Sequence, residues 1–153
     1  MMRIEIKSRF DALVLFAHEA EGNTMRITVE AAVNARVNLR GAYLGGAYLR
    51  GADLGRADLR GADLGGKKLV GDRPVLQIGP VGSRDDYLLA FLTDSGIKLT
   101  AGCWHGSRDE FAVAVAETHG DNVHAQEYRA ALAVIDAHAA LWTPAIESEK
   151  ASA

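Results

Sequence analysis

Cysteine is all but missing from this 153-residue sequence, and the single Cys103 excludes an internal disulfide and gives no basis for a cysteine-rich metal site. Proline is sparse, with 3 residues, and aromatic side chains make up only 7%. No apolar run approaches the length of about eighteen residues that a membrane-spanning helix needs. The opening MMRIEIKSRF alternates apolar and polar residues, without the basic-then-apolar order of an export signal. These absences predict a cytoplasmic protein in a reducing compartment, with no membrane partner and no cofactor.

What is present is an ordinary globular mixture, 48% hydrophobic and 24% charged, in a chain near the usual size for one domain. The net charge of −3 hides an uneven distribution: residues 1–35 carry −1, residues 36–68 carry +4 and residues 69–153 carry −6. A dipolar chain of this kind suits docking to charged partners.

Residues 3–7 and 12–17 alternate or run apolar at strand length, which predicts a hairpin. Residues 25–35, MRITVEAAVNA, read as a strand passing into a short helix, with Thr28 as N-cap. The period then changes. Leu39, Leu44, Leu49, Leu54, Leu59, Leu64 and Leu69 recur every five residues, and Ala42, Ala47, Ala52, Ala57 and Ala62 precede five of them by two. Five residues advance an α-helix by about 1.4 turns, scattering the leucines, and a flat strand alternates their faces. Neither geometry buries them together.

The text GAYLGGAYLRGADLGRADLRGADLG resembles the pentapeptide-repeat family, whose pattern is A(D/N)LXX. The resemblance implies a right-handed quadrilateral β-helix, with Leu and the Ala two residues before it inward and the other positions outward. Four pentads make a coil, and coils stack at about 4.8 Å. Val37 is large for the small inward position, and Lys67 cannot enter the axis without burying a charge, so the regular coil is expected over 36–66. One and a half coils are fewer than the three or more units a solenoid needs, so flanking segments must cap it.

Residues 75–78 form a short apolar run; 87–93 and 97–101 flank the turn Asp94-Ser95-Gly96 and predict a second hairpin. Gly79-Pro80-Val81-Gly82-Ser83 reads as a turn, because it lacks the lysine of a phosphate loop. Ser107-Arg108-Asp109-Glu110 fits a capping box that opens a helix to about Thr118. A second helix is predicted over 123–142, with an apolar stripe of Tyr128, Leu132, Ile135, Ala139 and Trp142. The expected fold class is therefore β-rich α+β: an N-terminal hairpin and cap (1–35), a repeat β-helix (36–69), a C-terminal αβ domain (70–143) and a frayed tail (144–153). This layout resembles pentapeptide-repeat proteins carried by bacteriophages and prophages.

If residues twenty apart stack on one side, Arg40 lies over Arg60 and Arg36 over Arg56, giving a four-guanidinium patch suited to phosphate or carboxylate partners, with Asp58 partly neutralising it. Arg50 falls on the opposite side. Some family members are read as DNA mimics that inhibit DNA gyrase through a long acidic face, but here the repeat is net basic and short. Any acidic mimicry would fall to the C-terminal helices, at Asp109, Glu110, Glu117, Asp121, Glu127 and Asp136; the competing reading is helix-dipole stabilisation and solubility. Tyr43 and Tyr48 point outward, as anchors or as part of the cap beneath the hairpin. Cys103, His105, His119, Asp121 and His124 are the one grouping that suggests chemistry. Their spacing fits neither a catalytic dyad with an orienting third residue nor a metal-ligand pattern, and His119 and Asp121 read as helix caps and His138 as an exposed helical residue.

The function expected is binding, with no catalytic and no metal residues: docking through Arg36, Arg40, Arg56, Arg60, Asp109, Glu110 and Glu117 onto a host protein or nucleoprotein complex such as a CRISPR effector, a restriction enzyme or a topoisomerase. The alternatives are an assembly protein acting as a homodimer or larger oligomer, and an enzyme using Cys103 and His105. Direct nucleic-acid binding is left open.

Overall fold

The computed structural model of the chain describes residues 1–45, 49, 54, 57–101 and 104–143. It is α+β, with a three-stranded sheet, a four-stranded sheet and three helices. Strand β1 (Met2–Ser8) pairs antiparallel with β2 (Val14–Ala20), as the alternation predicts, and then with the two-residue strand β3 (Ala42–Tyr43).

Helix α1 (Met25–Asn34) corrects the strand-then-helix reading of residues 25–35. Its N-cap is Thr24, whose hydroxyl accepts from the Ile27 amide at 3.1 Å, and not Thr28. Thr28 is buried in the first turn and donates to Asn23 Oδ1 at 3.1 Å, while Asn23 Nδ2 donates to the His18 carbonyl at 2.9 Å. The β-branched text is overridden by the helical face of Val29 and Ala32, which is fully buried. The helix closes in a Schellman motif: Val37 N–H donates to Ala32 C=O and Arg36 N–H to Val33 C=O, both at 3.0 Å.

In the repeat, Leu39, Leu44, Leu49, Leu54, Leu59 and Leu69 are all 5% exposed or less, with Ala42 and Ala62 at 0%. The pentad is visible in its turns, because Leu39, Leu54 and Leu59 each accept at 3.0 Å from the amide of the Ala three residues on. After twenty residues the chain lies beside itself in parallel. Leu39 N–H donates to Asp58 C=O, Gly41 to Arg60 and Leu44 to Asp63, and Tyr43 bridges Asp63. Among the described residues of this segment β3 is the only named strand, so the architecture stands as α+β without a displayed β-helix. Lys67 is exposed and Val37 half-buried against the core, consistent with their charge and bulk.

Both ends are covered. Arg9 N–H donates to Gly41 C=O at 2.8 Å, and its Nε reaches Gly61 C=O at 2.7 Å, so one arginine ties the hairpin to two levels of the repeat. At the other end Leu69 bridges Thr93, and Val70 N–H donates to Leu92 C=O at 2.9 Å.

The second sheet is an antiparallel meander of β4 (Val75–Val81), β5 (Asp86–Thr93), β6 (Gly96–Ala101) and β7 (Trp104–Ser107). The expected hairpin is its middle, flanked by β4 and β7. Strand β4 continues through Pro80 to Val81, so the turn is narrower than 79–83 and centres on Gly82–Asp85, where Asp85 N–H donates to Gly82 C=O. Strand β5 is buried continuously because both its faces are covered: Leu89 and Phe91 join the repeat's leucines, whereas Leu88 and Ala90 join the helices.

Helix α2 (Arg108–His119) opens with the expected capping box, and α3 (Val123–Trp142) follows. Phe111 and Val115 meet Tyr128, Leu132 and Ile135, with Phe111 edge-on to Tyr128 at 5.3 Å. The stripe differs slightly from the expectation, since Ala125 and Ala131 are buried while Ala139 and Trp142 are only half-buried.

Gly41 has φ +68°, and a Cβ there would lie 2.7 Å from the Phe10 ring. Gly22 has φ +61° with open space around it. Both Gly→Ala variants should lose about 1–2 kcal/mol from left-handed strain, and Gly41→Ala should lose more because Phe10 must move. Urea unfolding of the two variants checks the difference.

Candidate docking surface

The twenty-residue return puts Arg40 and Arg60 at equivalent places on neighbouring levels, and they share one carboxylate. Asp58 accepts from Arg60 Nε at 3.0 Å and Nη2 at 2.9 Å, a bidentate pair, while Arg40 Nε lies 3.5 Å from Oδ2. The local chain dictates this position: Asp58 Oδ1 also accepts from the Arg60 amide at 3.4 Å, as Asn38 Oδ1 accepts from the Arg40 amide at 2.9 Å twenty residues earlier. The Arg60 hydrogen bond holds the Asp58 carboxyl below its ordinary value of 3.8, against the opposing effect of partial burial, and Asp58 in turn raises Arg60. With side chains 35% to 50% exposed, the cluster orients guanidiniums more than it stabilises the fold.

Arg36 does not join this cluster through any ion pair among the described residues; it is exposed at φ +57°, and its backbone is the left-handed residue of the α1 Schellman motif. Arg56 lies outside the described residues, as do Arg50, Tyr48 and Cys103. Tyr43 joins the hairpin sheet through its backbone, but its side chain is 50% exposed, so it anchors a strand without being covered by it.

Beside Arg60 is a cleft of about 210 Å³, lined by Asp58, Arg60, Asp72, Arg73 and His138 among others. Arg73 stacks its guanidinium 4.0 Å over the Trp142 ring, and His138 Nε2 lies 2.9 Å from the Arg73 carbonyl. His138 is thus half-buried at the cleft, not an exposed helical residue. Sequence reasoning missed Arg73, His138 and Trp142 as a group. The available signal was the four-residue spacing of His138 and Trp142, which places both on one side of α3.

Residues 35–69 match the pentapeptide repeats family model, in 8 copies. The match covers less than a quarter of the chain and carries the repeat through Leu69. No curated protein and no solved structure is similar enough to match. The arginine cluster therefore sits inside the pentapeptide segment, and Arg73 and His138 lie outside it.

The acidic helices are largely occupied by the chain itself. Asp136 takes Arg108 in a bidentate pair at 2.7 and 2.9 Å, Asp121 takes Arg129 at 3.1 Å, and Glu127 accepts from the Gly82 amide. Glu110 accepts from the Ser107 amide at 2.8 Å, which lowers its pKa, and an Arg108 contact at 3.4 Å reaches Asp109. Glu117 is exposed.

Asn122, not Asp121, caps α3, its Oδ1 accepting from the Ala125 amide at 3.0 Å; Asn accepts without leaving Arg129 unpaired. His119 ends α2, but Gly120 is its C-cap. The His119 and His124 rings are 5.5 Å apart and His119 Nε2 lies 3.2 Å from Ser83 Oγ. No group of three metal-ligating side chains occurs among the described residues, and no described helix is long and apolar enough to cross a membrane.

Because the folded pKa of Asp58 is depressed, its contribution is fully present above the unfolded value near 3.8 and is lost as pH falls through the folded value. Asp58→Asn keeps the Asn38-like backbone bond and removes the charge. Its stability deficit against the parent should be constant from pH 5 to 7 and vanish at lower pH, as read by urea unfolding on a pH series. Arg36→Gly should stabilise the fold by about 1 kcal/mol by relieving left-handed strain, with thermal unfolding as the check.

Proposed function

We propose that the chain is a non-catalytic docking protein whose pentapeptide segment winds as a short right-handed quadrilateral β-helix and offers an arginine-rich side to an anionic partner. Support for the winding comes from the pentad turns, the buried leucines and the parallel pairing of the chain with itself about one coil later, at Tyr43 and Asp63. The observation that carries the docking reading is Asp58 held between Arg40 and Arg60 on successive levels, with Arg73 at the edge of the same cleft. One carboxylate orients two guanidiniums without satisfying every donor, because each guanidinium carries five N–H groups. A rigid segment loses little ordering entropy on binding.

The partner class is a host protein or nucleoprotein machine with exposed phosphate or carboxylate, in the setting of a phage-type inhibitor. A CRISPR effector, a restriction enzyme and a topoisomerase each present such surfaces. The acidic helices contribute less, since five of their six carboxylates accept hydrogen bonds from the chain itself.

The test compares parent protein with Arg40→Glu/Arg60→Glu in affinity capture from a bacterial cytoplasm, followed by mass spectrometry and native mass. Capture of a defined partner should fall more than about tenfold, since hydrogen bonds to charged groups are each worth about 1.5–3 kcal/mol, with native mass unchanged. Undiminished capture by the double variant would overturn the proposal. Recovery of the chain's own copies alone would favour an assembly role.

A further inference from the structure

A second cleft, of about 260 Å³, lies on the other side of the pentapeptide segment, between its leucines and the sheet face that carries β5, β6 and β7. We propose that it binds a small amphipathic monocarboxylate, a molecule with one carboxylate and an apolar tail.

The walls have two different chemistries. Leu44, Leu49 and Leu64 line it from the segment and Phe91 from β5, giving an apolar floor. Lys67 enters from the segment and Lys98 from β6, and neither has an ion pair among the described residues. Glu110 also lines the cleft and keeps its negative charge, stabilised by the Ser107 amide and by the field of Lys98, so the two lysines outweigh it and the site remains net positive. An amine would be repelled here, and a carboxylate would be attracted.

Thr100 adds the observation that points to a ligand. Its side chain lines the cleft, and its Oγ1 is shielded from solvent with no hydrogen-bond partner among the described residues. A buried hydroxyl left unpaired costs about 1–3 kcal/mol, and native structures rarely leave one without a reason. The alternation of β6 explains its placement: Leu99 packs with the helices, so Thr100 and its cross-strand partner His105 turn to the opposite face, towards the segment. After a rotamer turn of Thr100 towards the cleft, a carboxylate oxygen would accept from that hydroxyl while the lysines balance its charge. The size favours a ligand smaller than the drug-like molecules that fill pockets of about 300–1,000 Å³.

Isothermal titration of the full chain with octanoate tests this, with octylamine and 1-octanol as charge controls. Octanoate should bind saturably with a Kd of about 1 mM or tighter, octylamine should not bind, and 1-octanol should bind more weakly. Lys98→Gln and Lys67→Gln should each weaken octanoate at least about fivefold and leave 1-octanol unchanged. Thr100→Val should weaken octanoate while raising the melting temperature of the unliganded protein, a pairing that damage to the fold would not produce. If Lys98→Gln does not fold, the exposed Lys67 carries the same charge test. Absence of saturable octanoate binding, equal affinity for octylamine, or unchanged octanoate affinity in Thr100→Val would each overturn the proposal. Octanoate binding by Arg40→Glu/Arg60→Glu should equal the parent's, which separates this cleft from the docking surface.

Discussion

The leucines of the pentapeptide segment cannot bury one another alone, and the molecule is arranged around supplying the missing cover. A segment this short has too few levels for a continuous solenoid core. Strand β5 fills the deficit by facing two ways, with Leu89 and Phe91 against the segment and Leu88 and Ala90 against the helices. Gln77 of β4 reaches across as well, its Oε1 accepting from the Leu54 amide at 2.7 Å. The hairpin completes the other end through Arg9, which satisfies carbonyls on two levels. Removing either cover would expose leucines and unpaired backbone together, so the segment and its flanks stand as one folding unit.

That same constraint decides where polar groups gather. Among the described residues of the segment, most leucines and alanines are buried, whereas the arginines and aspartates stay half-buried or exposed. The cleft at Arg60 forms where the segment meets the strand β4 entry and α3, and the cleft at Lys98 forms between leucines of the segment and the sheet face of β5, β6 and β7. Both are edges of imperfect cover. Their chemistries differ because one edge brings two guanidiniums and the other brings two ammonium groups above an apolar floor. The acidic helices, by contrast, spend much of their charge on surface contacts with Arg108, Arg129 and the Gly82 amide, which tie α2, α3 and the β4–β5 turn together.

Several elements were legible from residue order because their signals are local. The capping box at Ser107 and Glu110 needs only four residues, and the second helix follows from a stripe spaced at 3.6 residues. The leucine period of five located the segment, and the i, i+20 relation placed Arg40 beside Arg60. Other elements failed for equally physical reasons. Two threonines four apart compete as caps, and packing of Val29 chose Thr24. Asp121 and Asn122 both accept hydrogen bonds, and the nearby Arg129 claimed the charged one. Arg73, His138 and Trp142 are brought together across 65 and more residues of sequence, a contact that no local pattern encodes.

By itself, then, the sequence determined the repeat, its inward leucines, the positive charge of that segment and the two C-terminal helices, because each depends on spacing along the chain. Tertiary structure alone decided which acids are spent on the chain's own contacts and where the clefts open. Those outcomes depend on distances between residues far apart in sequence, and only the packing of the segment against β5 sets such distances.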